Sequence, residues 1–152
     1  MEIFKVVCSL CTDKKCLING QTDGTKCPKL ILYNEAKEIQ TFLEEKVSDD
    51  PSFLVERLSV INSYIARTGY LLAQAMQLQD EAVANVFLQK GTELQSYPAT
   101  IQKSLISSYT SDVNSLVKLL ERQNRALVHH GENIRTQISF AKQDLALQRQ
   151  GY

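Results

Sequence analysis

Four cysteines, Cys8, Cys11, Cys16 and Cys27, fall within the first 27 residues, and none follows. Thiolates are soft ligands, and the spacing C-x2-C-x4-C-x10-C opens with the knuckle pair that lets two sulfurs reach one ion at about 2.3 Å. A tetrahedral four-thiolate zinc site needs no further ligand. With every position filled by protein it is structural, leaving no place for water or substrate. Lys5, Lys14, Lys15 and Lys26 lie close by; their charge offsets part of the tetrathiolate's and favours the deprotonated sulfurs. An iron-sulfur cluster is the rival cofactor, because four thiolates also suit it and Pro28 follows the last cysteine, although the middle spacing matches no ferredoxin run. Disulfides or unmetallated thiols are the remaining readings; the start MEIFKVVCSLC has no export signal, and a reducing compartment disfavours stable disulfides.

Stepping along the chain, the turn signals Asn19-Gly20 and Asp23-Gly24 and the β-prone run Ile3 to Val7 allow a small ribbon-like hairpin around the ligands. Residues 1–29 therefore read as a cysteine-rich knuckle and residues 30–152 as a helical bundle. Leu32, Ala36, Ile39 and Leu43 sit at three- and four-residue spacings and predict a helix over about 30–47. Asp50 as N-cap and Pro51 at the first helical position open the next, over 51–89, with Lys90-Gly91 expected to close it. Its seam, Leu54, Leu58, Ile61, Ile65, Thr68, Leu72, Ala75, Gln79, Ala82 and Val86, repeats every seven residues as in a coiled coil. Tyr64, Leu71 and Leu78 widen that face beyond what a two-stranded zipper needs, which favours three or more helices. A short helix is expected over 98–107 and a second long one over 112–150, on the seam Val117, Leu120, Asn124, Leu127, Gly131, Ile134, Ile138, Ala141 and Leu145.

The two long helices match in length, so the expected fold is all-α: a long antiparallel hairpin or bundle with the N-terminal zinc-knuckle-like cap. Charge agrees. Residues 48–96 carry three basic and six acidic groups and residues 113–152 six and three, so the arms attract. Over the whole chain 17 Lys and Arg balance 17 Asp and Glu, which leaves no long-range field to draw it to nucleic acid or an anionic membrane. No spanning segment is visible, so no membrane association and a cytoplasmic location are expected.

Equal antiparallel arms would place Gly69 beside Gly131, with Arg67, Thr68, Asn124, Arg125, His129, His130 and Arg135 around them. Close backbone approach explains such glycines; a waist that holds a ligand is the sharper alternative. Lys118, Arg122, Arg125 and His129 form a row along the last helix that can follow phosphates, or can be a solvated face with a Glu121–Arg125 pair. Catalytic signatures are missing: there is no Gly-rich phosphate loop, H-E-x-x-H or G-x-S-x-G. Neighbouring histidines point about 100° apart on a helix, so His129 and His130 do not serve one metal well. His130 with Asp80 or Glu81 would make a base and its orienter, but without a nucleophile.

The tract Leu120-Glu121-Arg122-Gln123-Asn124-Arg125, with His129 or His130 and then Ile134-Arg135-Thr136-Gln137-Ile138-Ser139-Phe140-Ala141-Lys142, resembles a group of short, all-helical, uncharacterised proteins of Bacteroidetes phages and integrated elements. The segment Ile61-Asn62-Ser63-Tyr64-Ile65-Ala66-Arg67-Thr68-Gly69 shares that resemblance, which covers the long arms and not the cysteine region. It implies a mobile-element context without an assigned reaction. The expected function is thus non-enzymatic: assembly with a second copy or another protein, stabilised by zinc. The competing expectation is a nucleic-acid or nucleotide-binding accessory protein that uses the knuckle lysines and the basic face of the last helix.

Overall fold

The computed structural model describes residues 27–151. Cys8, Cys11, Cys16 and the ribbon expected around them lie outside the described residues. Within them the protein is all-helical: α1 (Pro28–Glu44), α2 (Pro51–Leu94), α3 (Ala99–Tyr109) and α4 (Ser111–Gln150). At 1.5 Å per residue α2 and α4 are about 66 and 60 Å long, against about 26 Å for α1.

Helix α2 starts as its sequence dictates. Asp50 accepts from the Ser52 backbone N–H at 2.8 Å, and Pro51 occupies the first turn. Its end differs from expectation: the helix runs through Lys90-Gly91 to Leu94. Gly91 stays helical, and termination falls to the 95–98 segment, where Ser96 and Tyr97 N–H groups turn back onto the Glu93 and Leu94 carbonyls ahead of Pro98. Helix α1 stops at Glu44, three residues early, because Glu45 adopts an extended backbone. The connector is helical through Tyr109, and only Thr110 interrupts α3 and α4.

The break at Thr110 is bridged by side chains. Thr110 Oγ1 donates to the Ile106 carbonyl at 3.0 Å, and Asn114 Nδ2 donates to the Ser107 carbonyl at 3.3 Å and to Thr110 Oγ1 at 3.0 Å. Gln79 Nε2 then donates to Asn114 Oδ1 at 2.6 Å, tying this point to α2.

Helices α2 and α4 pair antiparallel along most of their length, and α1 lies in the groove between them, antiparallel to α2 and parallel to α4. The core cluster takes Leu32, Ala36, Ile39 and Phe42 from α1, Leu54, Ile61, Leu71 and Ala75 from α2, and Leu116, Leu120, Leu127 and Ile134 from α4. Leu71 is fully buried while Leu72 of the expected seam is only half-buried. The wide apolar face is therefore explained within one chain: α1 is the third helix. Since α1 spans less than half of either arm, among the described residues it leaves both ends of the hairpin without a third helix of its own kind over them.

The register shifts the expected waist. Gln79 meets Asn114, Thr68 meets Asn124, and Gly131 lies against Ile61 and Leu58. Gly131 is therefore about two turns from Gly69, and an added Cβ at Gly69 would meet no atom within 4 Å. The two glycines do not form a common gap. The connector is absorbed mostly into α3, so the arms are offset rather than flush.

Candidate functional site

The residues expected at the waist separate onto three faces. Thr68 and Asn124 do meet: Asn124 Nδ2 donates to Thr68 Oγ1 at 2.6 Å and to the Ile65 carbonyl at 3.2 Å. Thr68, fully buried, turns its own hydroxyl to the Tyr64 and Ile65 carbonyls at 2.9 and 3.0 Å. Every donor of this pair thus has an acceptor within the hairpin, which makes it a register lock of the kind that polar seam residues supply. Asn124 and Arg125, with Glu121, Leu72, Val128 and His129, line a shallow groove between α2 and α4 on the side away from α1.

Arg122 and His130 instead line the groove between α1 and α4, with Gln40, Leu43, Glu44 and Asn133, and His129 borders both grooves. Arg67 lies on the α1–α2 side, where its Nε donates to Glu35 Oε2 at 2.6 Å and its guanidinium sits over the Tyr70 ring at 5.5 Å. Arg135 reaches Asn62 at 3.4 Å near the open end of the hairpin. These side chains do not converge on one ligand. His130 is also far from Asp80 and Glu81: Asp80 lies level with the start of α4, about 27 Å along the bundle at 1.5 Å per residue, so the base-and-orienter pairing does not form.

The neighbour that matters to His130 is Arg57. Partial burial first, and then the Arg57 charge, push the His130 pKa below its ordinary 6.5. Arg57 is a residue the sequence reading passed over. Its Nη2 donates to the Phe42 carbonyl, its Nη1 pairs with Glu45 at 2.6 Å, and its Cζ lies 3.6 Å from the Phe42 ring centroid. One side chain on α2 therefore caps the C-terminus of α1, where a cation and a donor are both favoured. Its Nε is buried without a partner. Phe42 in turn packs on Tyr64, ring centroids 4.6 Å apart.

Gln123 was read only as part of a helical tract, yet it is 2% exposed and joins α4 to α1. Its Nε2 donates to the Ala36 carbonyl at 2.7 Å and to Gln40 Oε1 at 3.2 Å, and its Oε1 is buried with no partner. The signal that could have found it is the run of buried positions Leu116, Leu120, Gln123 and Leu127 at four- and three-residue spacings, which shares Leu120 and Leu127 with the seam. At the other end of α1, Lys29 Nζ donates to Asp112 at 2.7 Å and the Tyr33 hydroxyl to the Asp112 carbonyl at 3.2 Å. Burial and the Asp112 carboxylate raise the Tyr33 pKa.

Cys27 immediately precedes α1 and its carbonyl accepts from Ile31 N–H at 3.0 Å, so anything bound there is carried on the bundle. Among the described residues no three His, Cys, Asp or Glu side chains converge to hold a metal. No helix there is long and apolar enough to cross a membrane. The row Lys118, Arg122, Arg125 and His129 is exposed along α4; among the described residues only His129 has an acidic partner, Glu132 at 3.3 Å, and Glu121 does not pair with Arg125.

The class this defines is a long helical hairpin with a third helix packed over its middle. Comparison with protein-family models, with curated proteins and with solved structures gave no match.

Proposed function

We propose that the chain is a non-enzymatic assembly protein of a phage or related mobile element, whose helical hairpin is completed by protein contact and whose N-terminal end is held by a structural zinc on Cys8, Cys11, Cys16 and Cys27. One observation carries this reading. At both ends of the rod large apolar side chains stay open to solvent: Phe53, Phe140, Leu145 and Leu147 at the open end, and Phe87, Leu88 and Ile101 at the turn end, are between 45% and 84% exposed. Scattered exposed apolar residues are ordinary, and Tyr70 and Met76 at mid-rod are open too, but most of the exposed large apolar side chains fall at the two ends, where a contact surface is expected. The scattering of the polar candidates over three faces, with Thr68 and Asn124 satisfied by each other, also favours a binding scaffold over a convergent reaction site.

The test is sedimentation velocity together with thermal melting of the full chain across a range of concentrations. An oligomer whose melting temperature rises with protein concentration is expected. A monomer throughout the micromolar range with a constant melting temperature would remove the reading.

A second reading, an accessory protein for nucleic acid or nucleotides, is favoured by the unpaired cations Lys118, Arg122 and Arg125 on the outer face of α4. It requires binding that weakens steeply with salt and is lost on Arg122→Ala with Arg125→Ala.

A further inference from the structure

The open end of the hairpin carries both halves of a contact that one chain cannot make with itself. Continuing the register of Thr68 with Asn124 and Ile61 with Gly131, the start of α2 at Pro51 lies level with Ala141. The last turns of α4 therefore run on past α2 with no helix of the described residues beside them, and there Leu145 and Leu147 are 52% and 67% exposed. Helical spacing puts Leu145 with Ala141 on the continued seam, and Leu147 with Phe140 on the opposite side. A helix that is apolar on two sides is built to be enclosed.

The complementary half is a groove between the end of α1 and the start of α2, with Phe42, Val47, Phe53 and Val60 as its apolar lining and Lys46, Glu56 and Arg57 as its charged residues. It lies on the flank of α2 that faces α1, to one side of the Leu54, Leu58 and Ile61 face used by the hairpin, and no α4 residue lines it. A continuous α4 cannot bend around α2 to reach it. The charges of the two halves are unequal in sign: residues 142–151 hold Lys142 and Arg149 against Asp144, whereas residues 44–57 hold Glu44, Glu45, Asp49, Asp50 and Glu56 against Lys46 and Arg57.

We infer that the occupant of this groove is the overhanging end of α4 from a second copy, each copy seating its α4 in the other's groove in a closed two-fold dimer. Reciprocity follows from both halves lying at the same end of each chain, and a two-fold contact closes instead of growing into a filament. Like ends of α4 repel, while the basic end of one copy and the acidic α1–α2 segment of the other attract, which fixes the pairing. The inference rests on the assembly reading and specifies its surface.

The experiment uses the full chain in three forms: wild type, Leu145→Glu with Leu147→Glu, and Phe53→Glu. These positions are exposed, so helicity by circular dichroism should stay at the wild-type level. Sedimentation equilibrium should show a wild-type dimer and, for each variant alone, a dissociation constant raised by about tenfold or more. Mixing the two variants is the decisive arm. Their heterodimer regains one intact contact, the Phe53→Glu chain's α4 in the other chain's unaltered groove, so the mixture should associate more tightly than either variant alone. If both variants dimerise like wild type, this surface is wrong and the assembly reading survives through another. If each variant is weakened but the mixture is not rescued, α4 does not seat in that groove. A monomeric wild type overturns the dimer and the assembly reading together.

Discussion

Two glycines that look equivalent in the sequence should respond in opposite ways to the same substitution. Both Gly69 and Gly131 lie inside long helices, where glycine costs about 1 kcal/mol relative to alanine. At Gly69 an added Cβ meets nothing within 4 Å, so Gly69→Ala should recover that full amount. For a domain of this size a gain of about 1 kcal/mol raises Tm by about 3–4 °C. At Gly131 the same Cβ would lie 3.3 Å from Ile61 Cγ2 and 3.7 Å from Leu58 Cδ1. Leu58 is only half-buried and can move, but Ile61 is fully buried and its displacement is resisted by the core. Strain on the order of 1 kcal/mol offsets the propensity gain, and Gly131→Ala should come out near neutral. Valine separates the positions further: Gly69→Val stays within about 0.5 kcal/mol of wild type, whereas Gly131→Val overpacks the α2–α4 contact and loses about 1–3 kcal/mol. The assay is urea unfolding at one fixed protein concentration, reading the midpoint at constant m-value. Equal gains for the two alanine variants, or a tolerated Gly131→Val, would show that Gly131 is not pressed on Ile61 and would refute the register.

The remaining predictions concern other parts of the bundle. His130 has a pKa below its ordinary 6.5, so between its folded and unfolded values the unfolded chain binds more protons. Its contribution to stability is complete above pH 6.5 and is lost as pH falls towards the folded value; unfolding midpoints should drop over pH 7 to 5, less so in His130→Asn, and an identical slope in that variant would exclude His130 as the cause. Arg57→Gln should raise the His130 pKa when followed by NMR titration, because the second cause of the depression is removed. Gln123→Leu gives up the 2.7 Å bond to Ala36 but also removes the unpartnered Oε1, so it should be neutral or stabilising by about 1 kcal/mol, and a loss above about 2 kcal/mol would show that the oxygen is satisfied. Elemental analysis of protein prepared without added metal should find one zinc per chain, abolished by Cys11→Ser; iron with visible absorbance would make the cap a cluster site instead.

Much of the fold was legible because it depends on periodicity and caps. The seven-residue seam of Leu54, Ile61, Thr68 and Ala75, and the Asp50-Pro51 start, act locally and survive into the structure. The site arrangement was not legible, because it depends on register, and a repeat of seven fits equally well when one arm slides by one repeat. Pairing Gly69 with Gly131 assumed flush arms; the helical segment from Ala99 to Tyr109 lengthens the second arm and shifts every cross-pair. Lys90-Gly91 failed as a stop because glycine weakens a helix without ending it, and the chain needs Ser96 to Pro98 to turn. Arg57 and Gln123 escaped notice for a different reason. Each faces α1, and a helix packed as a third partner leaves a stripe on the arms that shares residues with the main seam, so that a polar residue in it reads as surface until the third helix is placed.

The position of α1 also governs where the molecule can make contacts. With α1 over the middle, Thr68, Gln123 and Leu127 are enclosed within one chain, and the seam there has nothing left to offer a partner. Because α1 ends at Glu44 and the chain returns through the segment Glu44, Glu45, Asp49 and Asp50, the open end keeps an apolar groove next to an acidic connection, beside an α4 end that is apolar and basic. The zero net charge of the whole chain hides this separation: in the proposed dimer the attraction it allows is short-ranged and directional, suited to orienting two ends that already meet rather than to drawing distant partners together.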